Sequence, residues 1–289
     1  MEIKAVSKSY GEKVVLDNIS ISIRKNEIVG LVGNNGAGKS TLMKIMANTM
    51  PDYKGIIDEQ SRIGYFIENP KLYINKSGLW HLKYFSSIFG EKFNLKEYEN
   101  ILKSIGLLEV LNRKVKTYSL GMKEKLGVMI SMLNNPDFVI LDEPTNGMDI
   151  ESSLNFLNII KKIAHEKNIG FLISSHKLED IEEICDRILF LDNAKISEET
   201  CEVIESKFDV IIELKSDKDV EKFIENQKLG RVIDVTSKKI HLETTFGYTE
   251  IVDVIKSLNL DMVDYSSEKK TLRDIYIEKM AGRRYEKTV

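Results

Sequence analysis

The sequence GNNGAGKST at residues 33–41 constrains the fold more than any other part of the chain. It follows the apolar run EIVGLV and precedes KSTLMKIMANTM, in which apolar residues recur at helical spacing. The loop matches the pattern G-x-x-x-x-G-K-[ST], whose backbone N–H groups surround phosphate oxygens. A glycine-rich turn with an incidental lysine is the alternative, but it would not require a strand before it and a helix after it. The order strand, glycine loop, helix is typical of a phosphate-binding α/β unit.

Each part of this loop has an expected task. Gly33, Gly36 and Gly38 let the backbone wrap phosphate oxygens, Lys39 reaches the β- and γ-phosphates, and Ser40 binds Mg²⁺. A nucleotide with β- and γ-phosphates is therefore the predicted ligand. The residues expected to contact it are Gly33, Asn34, Asn35, Gly36, Ala37, Gly38, Lys39, Ser40 and Thr41.

Two adjacent acids, Asp142 and Glu143, follow the apolar run FVIL. Such a run suits a strand that is covered on both faces, so the acids stand at the edge of a core. Unpartnered charges there are costly, and a cation beside a phosphate removes that cost. We expect Asp142 to bind Mg²⁺ directly or through water and Glu143 to polarise the attacking water. Two solvated acids in a turn remain the alternative, because Pro144 and Thr145 favour a turn.

Two aromatic residues are further candidates. His176 ends the strand IGFLISS, and ligands of open α/β sheets bind where strands end, although an isolated histidine is more often structural. Tyr10, in SKSYGEK, is placed to stack on a base, although a tyrosine before a glycine turn is more often an ordinary strand residue.

Composition limits the function classes. Lys+Arg 42 against Asp+Glu 45 gives a net charge of -3, so the chain has no basic excess for binding nucleic acid. Its apolar stretches are all shorter than the roughly 20 residues that cross a bilayer, and MEIKAVSKSY alternates like a strand, unlike a signal peptide. The two cysteines, Cys185 and Cys201, have no metal-ligand spacing around them and fit a reducing compartment. We therefore expect a cytoplasmic protein.

The pattern along the chain predicts two domains. Strand signals dominate up to about residue 65, helical periodicity runs from about 77 to 133, and strands then alternate with helices. This predicts an α/β fold: a P-loop nucleotide-binding core over residues 1–204, with a mixed sheet and an inserted helical subdomain at about 71–135. The pattern of residues 205–289 predicts a small α+β domain, with a ferredoxin-like topology as the candidate.

A second candidate anion site is YSLGMK at residues 118–123, where a hydroxyl and a glycine precede a new helix. The first N–H groups of a helix lack backbone partners and point outward. One chain therefore carries two candidate phosphate sites.

A family resemblance explains the pair of sites. Tyr10, GNNGAGKST, YSLGMK, FVILDEPTNGMD and the SSH triplet occur in the order and spacing of the ATP-binding subunit of ABC transporters, and the resemblance covers about residues 1–200. It implies that Tyr10 stacks on adenine, that Asp149 lies in a loop crossing the dimer and that His176 senses the γ-phosphate. Ser119 and Gly121 become the phosphate-facing residues of the signature.

The resemblance also implies a mechanism. In this family two chains pair head to tail, and the signature of one closes on ATP held by the glycine loop of the other. Hydrolysis removes the bridging γ-phosphate and releases the dimer. The implied protein is a Mg²⁺-dependent ATPase that powers a separate membrane permease.

Two departures from the family pattern matter. The signature is usually LSGGQ, and here Tyr118, Leu120 and Met122 replace its first Leu, its first Gly and its Gln. The position of a metal-contacting glutamine is held by Glu68, which we expect to meet Mg²⁺ or the attacking water unless it is a solvated loop acid. Both features resemble the subgroup that exports antimicrobial peptides, such as bacitracin-resistance and lantibiotic-immunity transporters.

Two other functions compete with transport. A soluble ATPase of the same family acting on ribosomes or DNA is disfavoured by the single cassette, the absence of heptads and the acidic balance. A nucleotide sensor without catalysis is hard to reconcile with Lys39, Asp142, Glu143 and His176 all being present.

Overall fold

The computed structural model describes residues 1–57, 60–68 and 70–285. Asp58 and Glu59, at the end of the predicted strand KGIIDE, and the last four residues of the predicted C-terminal domain lie outside this description. The chain divides into two units, Met1–Glu199 and Thr200–Val289. Each unit has its own sheet and its own buried apolar cluster.

A six-stranded sheet forms the centre of the first unit, in the order β5-β6-β7-β3-β8-β9. Its strands are β3 (Ile28–Val32), β5 (Ile63–Phe66), β6 (Phe138–Asp142), β7 (Gly170–Ser174), β8 (Arg187–Asp192) and β9 (Lys195–Thr200). The pairs from β5 to β8 are all parallel. Every residue of β3, β6 and β7 is buried, which explains why these strands are continuous apolar runs in the sequence.

A second, antiparallel sheet has the order β2-β1-β4. Its strands are β1 (Glu2–Tyr10), β2 (Lys13–Ser22) and β4 (Lys54–Ile57). Inward residues such as Ile3, Val6 and Leu16 join the main apolar cluster together with residues of β3 and of helix α1. Tyr10 ends β1, so this sheet delivers the candidate aromatic residue to the start of the β1–β2 turn.

Helices connect these strands. In the first unit they are α1 (Lys39–Met46), α2 (Gly78–Ile88), α3 (Leu95–Ser104), α4 (Leu120–Ser131), α5 (Ile150–Lys167) and α6 (Leu178–Ile184). α1 ends earlier than the periodicity of KSTLMKIMANTM predicts, because Asn48 takes a left-handed conformation with φ of 54°. α2, α3 and α4 lie between β5 and β6 in the chain, where helical periodicity is strongest. None of the described helices combines the length and the apolar character needed to cross a membrane.

The second unit has the antiparallel strand order β11-β12-β10-β13. Its elements are α7 (Cys201–Glu205), β10 (Phe208–Leu214), α8 (Asp217–Asn226), β11 (Gly230–Thr236), β12 (Lys239–Thr244), α9 (Tyr248–Ser257), β13 (Met262–Lys269) and α10 (Leu272–Tyr285). From β10 to β13 the chain order is βαββαβ, the ferredoxin-like arrangement. The predicted fold class, an α/β core with a small α+β domain, is confirmed.

Candidate nucleotide site

Four neighbouring parallel strands end at the same edge of the central sheet. Glu68 follows β5, and Asp142 and Glu143 stand at the end of β6. His176 follows β7, and the glycine loop follows β3. The register pairs Asp142 with Ser174 and Leu31 with Ser174, which brings the ends of β6, β7 and β3 side by side. The topology therefore gathers residues that are far apart in sequence.

The glycine loop leaves no space for side chains at two of its positions. A Cβ atom placed on Gly33 would lie 2.4 Å from the carbonyl oxygen of Leu191, and one on Gly38 would lie 2.8 Å from Cγ1 of Val15. Gly38 also has φ of 110°, a conformation that side chains disfavour, and it caps α1 without a side-chain hydrogen bond. The first N–H groups of α1 are thus directed into the loop without a capping side chain, as an anion site requires.

Lys39 is held by the loop itself. Its Nζ donates to the carbonyl oxygen of Gly33 at 2.7 Å and to that of Asn34 at 3.4 Å. Burial lowers the pKa of the Lys39 ammonium, while the negative charges of Glu143 and Asp142 act in the opposite direction. A bound phosphate would offer this cation a stronger acceptor than two carbonyl groups.

Asp142 and Glu143 have distinct environments. Asp142 is 7% exposed and accepts a hydrogen bond of 2.7 Å from Oγ of Ser174. Glu143 takes a left-handed conformation with φ of 52°, and its N–H donates to Oγ of Ser174 at 3.1 Å. Its Oε2 lies 2.6 Å from Nδ1 of His176 and accepts from the His176 N–H at 3.2 Å. A strained backbone held by neighbours is common where a carboxylate must be aimed.

A cavity of about 360 Å³ opens between these groups. Its lining residues are Tyr10, Val15, Asn35, Gly36, Gly38, Lys39, Ser40, Thr41, Glu68, Asp142 and Glu143. Tyr10 is half exposed, and Nζ of Lys8 lies 4.8 Å from the centre of its ring. The candidates from the glycine loop, the acids and the aromatic residue are therefore brought together.

Seven candidates are not among the residues that line this cavity. Gly33, Asn34 and Ala37 belong to the glycine loop, and His176 contacts the lining residue Glu143. The other three, Ser119, Gly121 and Asp149, lie at the starts of α4 and α5. Ser119 is exposed and caps α4, its Oγ accepting a hydrogen bond of 3.2 Å from the Met122 N–H. Asp149 is exposed and caps α5 by accepting from the N–H and Oγ of Ser152 at 2.8 and 2.7 Å. These hydrogen bonds lower the pKa of the Asp149 carboxyl. Within one chain, these residues lie outside the cavity, with Ser119 and Asp149 exposed and Gly121 half-buried.

Sequence reasoning missed two residues that organise the site. Ser174 hydrogen-bonds both to Asp142 and to the Glu143 backbone, and the side-chain amide of Asn146 donates to Glu68. Ser174 carried a signal, since a hydroxyl directly before the predicted strand end is poised to bond the neighbouring strand. Asn146 had none, because 78 residues separate it from Glu68 and both lie in loops.

The residues fit a magnesium nucleotide. Asp142 and Glu143 act electrostatically on Lys39, and Glu68 and the hydroxyl-bearing Ser40 line the same cavity. Oxygen ligands of this kind suit Mg²⁺, and the N–H groups of the glycine loop suit phosphate.

Comparison with known proteins agrees with this geometry. The ABC transporter family model matches residues 16–146. The uncharacterized ABC transporter ATP-binding protein YcbN of Bacillus subtilis is 31% identical over 303 residues, covering 98% of this chain and 97% of that protein. The lantibiotic transport ATP-binding protein SrtF of Streptococcus pyogenes is 35% identical over 218 residues, covering 72% of this chain and 91% of that protein. The bacitracin transport ATP-binding protein BcrA of Enterococcus faecalis is 33% identical over 211 residues, covering 69% of this chain and 68% of that protein.

Solved structures give the same result. The ATP-binding subunit of an ABC transporter superposes with a TM-score of 0.62 at 28% identity, covering 71% of this chain and 91% of that one. The similarity to the bacitracin and lantibiotic proteins confirms the predicted resemblance to that subgroup. The chain belongs to the ABC transporter family, as an ATP-binding subunit.

Proposed function

We propose that two copies of this chain sandwich ATP and Mg²⁺, hydrolyse the ATP and thereby drive a separate membrane permease. The observation that carries the proposal is the division of the candidate residues within one chain. The glycine loop and the acids lie at the cavity, whereas Ser119 and Asp149 are exposed outside it and Gly121 is half-buried beside Met148. Such a half-site becomes complete when a second copy supplies the other half.

The proposed roles combine the family resemblance with the contacts of each residue. The glycine loop and Lys39 hold the phosphates, Tyr10 stacks on adenine, and Ser40, Asp142 and Glu68 supply oxygen ligands for Mg²⁺. Bound Mg²⁺ neutralises the charge of the phosphate oxygens. Glu143 orients and polarises the attacking water, and the 2.6 Å contact from His176 Nδ1 keeps its carboxylate aimed.

The partner-facing group is also suited to pairing. Leu120 in the signature is 45% exposed and Ile150, directly after Asp149, is 77% exposed. Both are apolar, and both lie beside residues expected to meet the partner's ATP. Burial of such side chains would add to the stability of the closed dimer.

The permease is proposed to dock in an apolar groove beside Glu68. The groove has a volume of about 530 Å³ and is lined by Tyr65, Phe66, Ile67, Glu68, Pro70, Lys71, Leu72, Phe85, Gly127 and Ile130. Further exposed apolar side chains belong to the same segment, namely Tyr73, Ile74, Tyr84, Ile88 and Phe89. An exposed apolar surface of this extent is typical of a protein interface. We place the complex on the cytoplasmic face of the membrane.

The proposed cargo is an antimicrobial peptide or another drug, carried outward. This part rests on the names of SrtF and BcrA, which concern lantibiotic and bacitracin transport. The second unit is proposed to be an accessory domain, because the candidate chemical residues all lie in the first.

The dimer is tested with Glu143→Gln. Loss of the carboxylate should slow hydrolysis about 100-fold or more while ATP still binds, so that ATP and Mg²⁺ trap a dimer. Size-exclusion chromatography with light scattering measures the trapped species, and Lys39→Ala in the same background is the control that should stay monomeric. Unaltered turnover of Glu143→Gln, or no dimer with ATP, would overturn the proposal.

The transport function is tested by co-purification. We expect a neighbouring gene to encode a multi-span membrane protein. Membranes that contain this chain and that protein should show ATP-dependent efflux of bacitracin or a lantibiotic, and Glu143→Gln should abolish it. If the two proteins never associate, the permease assignment is wrong.

A further inference from the structure

A hydrogen bond joins two loops that flank the cavity. The side-chain amide of Asn146, between β6 and α5, donates to Oε1 of Glu68, which follows β5. The backbone N–H of Asn146 donates to the carbonyl oxygen of Glu143 at 3.1 Å. Asn146 thus contacts the backbone of Glu143, the proposed catalytic residue. It also contacts the side chain of Glu68, which lines both the cavity and the apolar groove.

The residues after Asn146 contact the signature. Gly147 has φ of 73°, and a Cβ atom placed on it would lie 2.2 Å from Cδ2 of Leu120. A Cβ atom on Gly121 would lie 3.3 Å from Cγ of Met148. The loop therefore fills the space between Glu68 and the first turn of α4.

Hydrogen bonds also hold the same loop at Thr145 and Met148. Thr145 is 2% exposed, and its hydroxyl donates to Oδ2 of Asp180 in α6 at 2.6 Å. The N–H of Met148 donates to the Thr145 carbonyl at 3.1 Å, which closes a turn around Asn146 and Gly147. With both ends held, the Asn146 side chain, Gly147 and the Leu120 contact lie in one tightly packed turn.

We propose that Asn146 is a positioning residue that couples Glu68 to the partner-facing loop and signature of the same chain. This rests on the proposed function, in which Glu68 borders both ATP and the docked permease. A carboxylate at position 68 needs a hydrogen-bond donor opposite it, and the Asn146 amide supplies one without a charge. The chemical requirement is therefore a donor at one position and an acceptor at the other.

A charge-exchange pair tests the coupling. Asn146→Asp places a carboxylate against Glu68, and Glu68→Gln restores a donor to face it. All variants are made in the Glu143→Gln background, and two quantities are measured: ATP binding by equilibrium dialysis with radiolabelled ATP, and the dimer dissociation constant at saturating ATP and Mg²⁺.

We expect Asn146→Asp to weaken the dimer about tenfold or more while ATP affinity of the monomer changes less than about threefold. The double variant Asn146→Asp, Glu68→Gln should have a dimer dissociation constant within about threefold of that of Glu68→Gln alone. Asn158→Asp is the matched control, because Asn158 is exposed on α5 and the substitution changes the net charge equally. It should leave the dimer constant unchanged.

The possible failures differ from one another. A dimer unaffected by Asn146→Asp, or not recovered by the second substitution, overturns the coupling while the proposed function stands. A loss of ATP binding together with dimerisation would indicate a structural role for Asn146 and also overturns it. A parent that stays monomeric with ATP overturns the proposed function itself.

Discussion

Glu124 is a buried acid whose replacement by glutamine should change how stability depends on pH. It lies in α4 with no exposed surface, and both its carboxylate oxygens lack a hydrogen-bond partner among the described residues. Burial, and then the negative charge of Glu68, raises the pKa of Glu124 from its ordinary value of 4.5 to about 7. The folded chain therefore keeps a proton that the unfolded chain has already released.

The sign and size of the effect follow from that difference. Because the folded pKa is the higher one, the free energy of unfolding falls as pH rises from about 4.5 to about 7 and is level above about 8. Each unit of pH within this interval costs about 1.4 kcal/mol, so the total loss is roughly 3 kcal/mol. Glu124→Gln carries no ionisable group, so its stability should lack this contribution.

The buried amide introduces a cost of its own. An unsatisfied amide lowers the free energy of unfolding by about 1–3 kcal/mol at every pH. The difference in the free energy of unfolding between parent and variant at a single pH therefore mixes both effects. Only the change of that difference with pH reports the ionisation of the carboxyl group.

Urea unfolding followed by tryptophan fluorescence is the assay. Trp80 is the one tryptophan of the chain and lies in α2, which contacts α4. Between about pH 5.5 and 8.5 the stability of Glu124→Gln relative to the parent should rise by about 2 kcal/mol. The control is Glu99→Gln, an exposed position on α3. If the free energies of unfolding of the parent and of Glu124→Gln changed with pH in parallel, the reasoning would be refuted.

Three further predictions concern other parts of the molecule. Gly38→Ala should abolish ATP binding in equilibrium dialysis, since a methyl group would meet Val15 in a left-handed backbone conformation; binding within about threefold of the parent would contradict this. Tyr118→Phe should lower the free energy of urea unfolding by about 1 kcal/mol, because the Tyr118 hydroxyl donates to the carbonyl of Val110 at 2.8 Å. Lys270→Met should destabilise the second unit by about 1–3 kcal/mol in calorimetry, because a 1% exposed cation is lost from carboxylate partners that are 19–43% exposed. An unshifted transition would show that those acids find other partners.

Local motifs account for what the sequence predicted well. The glycine loop, the acids after β6 and His176 after β7 each combine a strand with the polar residues at its end, and parallel strands place such ends together. The helical segment was visible because its apolar spacing differs from that of the neighbouring strands. These features depend on residues adjacent in the chain.

The features that were missed depend on long-range packing. Glu124 lies in a helix whose sequence gives no sign that its carboxyl group is fully buried. Its neighbour Gly127 packs so closely that a Cβ atom would lie 2.6 Å from Phe66, and this contact sets the depth of α4 against the loop of Glu68. The hydrogen bond of Asn146 belongs to the same class, because each partner is an ordinary loop residue until the fold joins them.

The loop from Glu143 to Asp149 links chemistry to assembly over seven residues. Two of them, Glu143 and Gly147, have positive φ, and the non-glycine one costs roughly 1–2 kcal/mol unless neighbours hold it. Ser174 supplies such a hold through its contact with the Glu143 N–H. In the proposed cycle, a change at the γ-phosphate that moved Glu143 would act on this strained turn and would reach Asn146 through the 3.1 Å hydrogen bond to the Glu143 carbonyl. That bond would give phosphate release a short path to Gly147 and Leu120, beside the surface that is proposed to meet the partner.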